Sequence, residues 1–432
     1  MGLCQSCSVP QDSVNAAPSP DPALTEPSPA AQDAVAPDSL PVAPAAESQT
    51  LPPPNLPNTQ PPNTPTSASD NPEQPDFCDL LTQIPQPAAT PTYTVIDEQQ
   101  SPKYEVPGTD VFRTGTLPAY AIEFDEYAFL STLQATRTYF SEQSCQDPKI
   151  LKSGILGTQD VEVSDVLDTL DFMIQVLSED LVAGQPTRLK DSSFINQNFK
   201  VVRWLAYDPQ NLNETRLRIT KYAVFTHPGS RSRTEVFNIP VYQLKDDLTD
   251  ESFIANYTKQ EVLSGIYEPG GAEFGKVETL AYLSRESFED ALLQGTAFVT
   301  FPDGSSTYFN VDKNNGIAYV PGLDQWQQER YWYFKEVNQL KGYGHSSDTK
   351  IPIDPGVTFA GDVLNIGLGK IIAIEDNNQN IRLGMVADTG GAFLPNLHQL
   401  DFFAGVFPSR SAYEQAVQPL PTYARTYVLL KK

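Results

Sequence analysis

From residue 190 to the C-terminus the chain is a succession of short segments rich in β-branched and aromatic residues, separated by Gly, Pro, Asn and Asp. "FKVVRWLAY", "RLRITKYAVFT", "GTAFVTFPDGSSTYFNV", "GKIIAIED", "IRLGMVAD" and "RTYVLL" share this form, which suits a pleated, half-buried surface. Helices do not alternate with them, so the pattern points to barrels rather than to a parallel α/β sheet. "FPDGSSTYF" reads as a hairpin closed near Asp303 and Gly304, and "IEDNNQNIRLG" (374–384) as a second tight connection between strands. The last 90 residues therefore read as a compact β-barrel.

The preceding stretch is different. Residues 105–190 read as a helical N-terminal segment. "EYAFLSTLQATRTYFSEQ" (126–143) is one predicted helix, and "SDVLDTLDFMIQVLSEDL" (164–181) another. The second carries Val166, Leu167, Leu170, Ile174 and Leu177 at helical spacing, with Ser164 placed to cap it. Residues 1–75 contain no Lys or Arg and hold 18 of the 38 prolines, so they lack the apolar side chains needed to offset ordering entropy. They are expected to form a disordered, partly polyproline-II tether.

A net charge of −25 argues against nucleic acid or an anionic membrane surface as partner, because both require clustered cations. No apolar run approaches the ~20 residues that span a bilayer. Cys4 and Cys7 stand at the head of the tether, where an acylated cysteine would sit, but no hydrophobic targeting segment precedes them. Cys78 and Cys145 are available to pair in an oxidising compartment. The three histidines lie near no Cys pair, which gives no metal site, and nothing in the sequence calls for a cofactor.

"RLGMVADTGGAFLPNLHQLDFFAG" (382–405) carries the candidate chemistry. Asp-Thr-Gly at 388–390 is the signature of aspartic proteases, but those need two such loops sharing a proton, and this chain has one. Asp362 in "FAGDVLNIGLG", Asp388 in "ADTGGA" and Asp401 in "LDFFAG" each fall where a strand meets a glycine-containing turn. With these aspartates the chain resembles the membrane-bound lytic transglycosylase A (MltA) family, whose C-terminal region is named for three aspartates. "IPIDPGVTFAGDVLNIGLG" (351–369), "MVADTGGAF", "DFFAG" and the closing "YVLL" are similar to successive segments of that region. Upstream, "FINQNFKVV" (194–202) resembles the lead into the first barrel strands. "KQEVLSG" (259–265), "LAYLSRESFEDALLQGTAFVTFPDG" (280–304) and "NNGIAY" (314–319) resemble the family's insert domain. The likeness runs in family order from about residue 160 to the C-terminus.

The resemblance implies a mainly β fold: a double-psi β-barrel with an inserted second β-domain, behind the helical segment and the tail. Early barrel strands would fall at 191–228, the insert at 229–340 and the three-aspartate part at 341–432. It also implies a periplasmic, possibly outer-membrane-anchored enzyme acting on peptidoglycan glycan strands. Such an enzyme cleaves the β-1,4 bond between N-acetylmuramic acid and N-acetylglucosamine, leaving a 1,6-anhydro end. By residue matching Asp401 corresponds to the acid/base, with Asp388 and Asp362 as its neighbours, while Gln294, Asn315 and Tyr319 fall at positions that could face the glycan groove. For Asp388 an equal reading is a carboxylate accepting backbone hydrogen bonds in its turn; for Asp362 a turn-capping role is favoured. Core packing explains Gln294, Asn315 and Tyr319 as well as substrate binding does. The aromatics of 325–337 read as an amphipathic strand or as sugar-stacking rings.

Several segments depart from the family. The stretch between Asp388 and Asp401 is longer than usual, with "LP" where Lys-Gly is common. "KYAVFTHPG" (221–229) lacks the glutamate of Tyr-Tyr-Glu-Pro, and "QGTA" (294–297) replaces Gln-Gly-Ser-Gly. These differences leave room for a wall-binding protein without turnover; a glycoside hydrolase on the same barrel is a further rival, which would need a second carboxylate across the groove to position water.

Overall fold

A computed structural model of the protein describes residues 91–432 apart from 321, 377, 391 and 392. The expected tether, with Cys4 and Cys7, lies outside the described residues, as does Cys78 beyond it; Cys145 is exposed.

The described residues open with an antiparallel hairpin, β1 (Thr92–Ile96) and β2 (Pro102–Pro107), the second strand running into the start of the segment expected to be helical. That segment also contains two short strands, β3 (Phe112–Thr114) and β4 (Ala121–Glu123), which pair with strands of the main sheet. Among its longer helices, α1 (Glu126–Gln143) is capped by Asp125, whose carboxylate accepts the Ala128 amide. The next, α2 (Val163–Val182), buries Val166, Leu167, Leu170, Met173 and Leu177 and leaves Ile174 half-buried. Its cap is Glu162, not Ser164. The Asp165 carboxylate accepts the Glu162 amide at 2.8 Å, so an acidic side chain one turn in satisfies the start of the helix.

The later strands are β5 (Phe199–Trp204), β6 (Leu217–Pro228), β7 (Ile239–Leu244), β8 (Val277–Leu283), β9 (Thr296–Thr300), β10 (Ser306–Asn314) and β11 (Trp332–Val337). They are followed by β12 (Thr358–Ala360), β13 (Ile371–Glu375), β14 (Asn380–Asp388), β15 (Gln399–Phe407) and β16 (Tyr423–Lys431). Helix α3 (Arg285–Gln294) precedes β9, and α4 (Arg410–Val417) follows β15. The predicted hairpin at Asp303–Gly304 joins β9 to β10, with Gly304 at φ 83°, a left-handed value that suits a residue without a Cβ.

Pairing runs β6–β15–β12–β14–β13–β16, and Tyr423 and Ala424 of β16 pair back onto Arg218 and Leu217 of β6. These six strands thus close on themselves around one core that includes Ile219, Phe359, Ile372, Met385, Leu400 and Val428. Closure removes free sheet edges. Helix α2 packs on the outside of this ring against β16, where the Thr169 hydroxyl accepts the Lys431 amide at 2.8 Å.

A second apolar cluster forms around Val241, Leu283, Phe288, Val299, Phe309, Tyr331 and Tyr333. Strand β6 serves both clusters: Arg218 to Phe225 pair with β15, and Thr226 to Pro228 continue parallel to β9. Inside the second cluster Lys259 donates to Glu289 at 2.7 Å with both side chains almost fully buried (1% and 3% exposed), and Arg285 holds the other Glu289 oxygen. Removing one partner of such a pair leaves the other charge buried without compensation. Glu289→Leu should therefore destabilise the protein by about 3–5 kcal/mol, read as a lower urea midpoint at unchanged slope. A neutral result would mean that Lys259 finds water or another acceptor at no cost.

Candidate active site

A groove of about 840 Å³ is lined by strands of the closed ring and by elements of the second cluster. Thr220, Tyr222, Asp388, Asp401 and Phe403 form one wall; Gln294, Asn310, Tyr319 and Trp332 belong to the other. A cleft of this size with a few convergent polar groups is the usual form of a ligand site.

The two acids converge because of strand register. Ala360 on β12 is aligned with Asp388 on β14 and with Asp401 on β15. Two strand spacings place their Cα atoms roughly 9–10 Å apart, on either side of a residue too small to fill the space between them. On its other side Asp401 is aligned with Thr220 of β6. Tyr222, two residues along that strand, stacks on Phe403 at 4.9 Å and donates its hydroxyl to Asp388 Oδ2 at 2.6 Å. The second Asp388 oxygen accepts the Thr389 amide at 2.8 Å.

This setting divides the acids electrostatically. Asp401 Oδ1 is shut off from solvent and has no hydrogen-bond partner among the described residues. Burial pushes the Asp401 carboxyl up to about 7, and the Asp388 charge adds to this, while Thr220, Lys221 and Arg218 oppose it. Burial also raises Asp388, to about 6, against the Tyr222 and Thr389 hydrogen bonds and the Lys350 charge. Lys350 is held by Asn310 Oδ1 at 2.8 Å and the Val311 carbonyl at 2.6 Å. Asp401 is thus the group better able to keep a proton near neutral pH, and Asp388 the one better supplied with donors as a carboxylate.

Asp362 does not join them. It is 1% exposed and lies outside the groove lining. Its oxygens accept the Asn365 amide at 3.0 Å, the Asn365 side chain at 2.7 Å and the Asn396 amide at 2.8 Å. Asn365 in turn bonds both backbone groups of Ile96. Asp362 therefore ties the first hairpin, its own loop and the approach to β15 together.

The three groove positions also separate. Gln294, at the end of α3, and Tyr319, 41% exposed, line the groove. Asn315 does not: it is 2% exposed, and its amide bonds the backbone of Tyr257, Glu329 and Tyr331. Its polar atoms are committed to holding three segments in place. In 325–337 the rings divide: Tyr331, Tyr333 and Phe334 are core, whereas Trp332 lines the groove. Tyr222 and Lys350 were not singled out from sequence. They flank Asp388 only after folding, and neither sits in a local motif.

Two outcomes test these assignments. Asp362→Asn would set an NH₂ group against the N–H donors it now accepts, costing about 1–3 kcal/mol of stability in denaturant unfolding. For Asp401 the sign differs. A carboxyl raised from 3.8 to about 7 by folding costs stability as pH rises between those values. Asp401→Asn should therefore melt close to wild type at pH 4 and gain about 1–3 kcal/mol over it at pH 8. Equal pH dependence in the two proteins would show that Asp401 is not held in its neutral form.

No family model and no curated protein matches the chain. Solved structures do. A membrane-bound lytic murein transglycosylase from Agrobacterium tumefaciens superposes with a TM-score of 0.50 at 17% identity, covering 74% of this chain and 98% of that one. E. coli MltA with bound chitohexaose gives a TM-score of 0.51 at 19% identity over 74% of this chain and 94% of that one. At this identity the likeness speaks to architecture, and over that span the protein has the fold of the MltA lytic transglycosylases.

Proposed function

We propose that the protein is a peptidoglycan lytic transglycosylase in which Asp401 serves as the single acid/base. The observation that carries this reading is an aspartate in a glycan-sized groove, buried enough to remain protonated near pH 7, with one oxygen unengaged. Protonated Asp401 donates to the glycosidic oxygen as the bond to the muramyl C1 breaks. As carboxylate it then takes the proton of the same sugar's 6-hydroxyl, which closes on C1 to give the 1,6-anhydro ring. Water takes no part, so no second carboxylate at hydrolase separation is required. Asp388, hydrogen-bonded by Tyr222 and within the field of the Lys350 charge, keeps a negative charge beside Asp401 and so favours its protonated form.

E. coli MltA has been seen with bound chitohexaose, and we extend that glycan class to this groove, with Gln294, Tyr319 and Trp332 as contacts. The closed ring we read as a double-psi barrel made of 191–228 and 341–432, with 229–340 as the insert. Its substrate would place the protein in the periplasm, with a lipid anchor at Cys4 or Cys7 as one means of attachment; no helix among the described residues is long and apolar enough to cross a membrane.

Murein sacculi incubated with the protein and analysed by mass spectrometry separate the readings. Anhydro ends are expected; reducing ends would indicate a hydrolase, and intact glycan a binder. Asp401→Asn should lower release of anhydro-muropeptides by ~10²–10⁴-fold while glycan binding persists. Near-wild-type release would move the acid/base role to Asp388. The pH–rate profile gives a further check. Activity requires protonated Asp401, so it falls as pH rises through the raised pKa. Asp388→Asn removes the like charge, lowers that pKa and should move the alkaline limb to lower pH. A limb that stays in place would show that the two acids do not interact.

A further inference from the structure

The groove does not share the acid excess of the chain that forms it: its lining holds six Lys and Arg beside five Asp and Glu (Glu98, Glu289, Asp312, Asp388 and Asp401). The protein as a whole carries −25, yet Lys221, Lys259, Arg330, Lys341, Lys350 and Arg410 all line the groove. Three of them are committed internally: Lys259 to Glu289, Lys350 to Asn310 and Val311, and Lys221 to the Pro421 carbonyl at 2.6 Å. The other three are not. Arg330, Lys341 and Arg410 make no side-chain hydrogen bond and no ion pair among the described residues, although the chain holds 54 acidic side chains.

Arg330 is the most constrained of the three. Its guanidinium lies over the Trp332 ring at 4.4 Å from the centroid, and its Nε is closed off from solvent with no acceptor. A buried donor without a partner is costly, which gives an arriving acceptor an advantage. Arg410 rests against Phe225 at 5.7 Å on the wall formed by β6 and α4. Lys341 lies in the connection between β11 and β12. The acids that influence them, Glu98 for Arg330, Asp348 for Lys341 and Asp290 for Arg410, all stand outside ion-pair distance. Glu98 and Asp312 also line the groove, and Asp312 is occupied by the Ser347 amide at 3.0 Å. A neutral oligosaccharide would leave all three cations as they are. A guanidinium stacked on an indole is suited to a carboxylate carried beside a sugar ring.

We propose that Arg330, Lys341 and Arg410 select for a glycan whose sugars bear carboxylates, so that the groove prefers an acidic wall-type strand to a neutral chitin-type strand. This rests on the reading of the groove as a glycan site. The carboxylates could be those of the lactyl ethers on the glycan or of the peptide stems attached to them.

The test measures binding to full-length Asp401→Asn protein, so that turnover plays no part. Three oligosaccharides of equal length serve as probes: chitohexaose, a peptide-free alternating N-acetylglucosamine–N-acetylmuramic acid hexamer, and the same hexamer with peptide stems. An acidic probe should bind on the order of ten-fold tighter than chitohexaose at low ionic strength, with the difference shrinking in about 0.5 M salt. Preference already present for the peptide-free hexamer would identify the lactyl carboxylate, and preference confined to the third probe would identify the stems. Adding Arg330→Gln and Arg410→Gln together should reduce the preference to about two-fold or less, with chitohexaose still bound. If that combination lowers the thermal transition, Lys341→Gln with Arg410→Gln is the substitute. Equal affinity for all three probes, or a preference untouched by either combination, overturns the proposal. Wild-type protein that cleaves murein while Asp401→Asn shows equal affinities would overturn this inference alone; selective binding without anhydro products would overturn the catalytic reading alone.

Discussion

The parallel pairing of β6 with β15 underlies the rest of the site. It sets Asp401 against Thr220, brings Tyr222 under Phe403 and points the Tyr222 hydroxyl at Asp388. Because side chains alternate in direction along a strand, a slip of one residue in this register would turn Asp401 away from the groove and drive apolar neighbours into it. The packing of Ile219, Leu400 and Phe402 in the core is what resists that slip. The hydrophobic pattern of these two strands therefore determines both the core and the position of the acid.

The environment of each aspartate then separates three chemically identical side chains. Asp362 is saturated with donors and binds segments together. Asp388 is half-saturated and electrostatically active. Asp401 is buried with an unengaged oxygen. The number of hydrogen bonds received falls in that order, and Asp401, with the fewest, is the carboxyl that burial raises furthest.

Much of this was legible in the sequence because it is local. Strand identity followed from β-branched and aromatic runs, α1 and α2 from helical spacing, and the β9–β10 turn from Asp303–Gly304. What was missed depends on distant partners. The β1–β2 hairpin has little apolar content and is held through Asn365, some 270 residues away, where no periodicity could signal it. Tyr222 and Asp388 meet across 166 residues. Asn315, just past the end of β10, turns its amide inward because three backbone segments offer it partners, which a reading of local sequence could not show. Ser164 yielded the capping position because acidic side chains on either side of it, Glu162 and Asp165, close the helix start first.

The continuity of β6 has a consequence for motion. A strand that is hydrogen-bonded in the ring at one end and to β9 at the other cannot bend sharply between them without breaking ladder bonds at one of its ends. Opening and closing of the groove by a free swivel is therefore disfavoured, and its width is governed by the flexural stiffness of a paired ribbon. A cleft framed in this way is closer to a fixed jaw than to a lid. Such a frame would suit the extended glycan strand proposed as its ligand, which could enter from the side with little rearrangement and leave as simply.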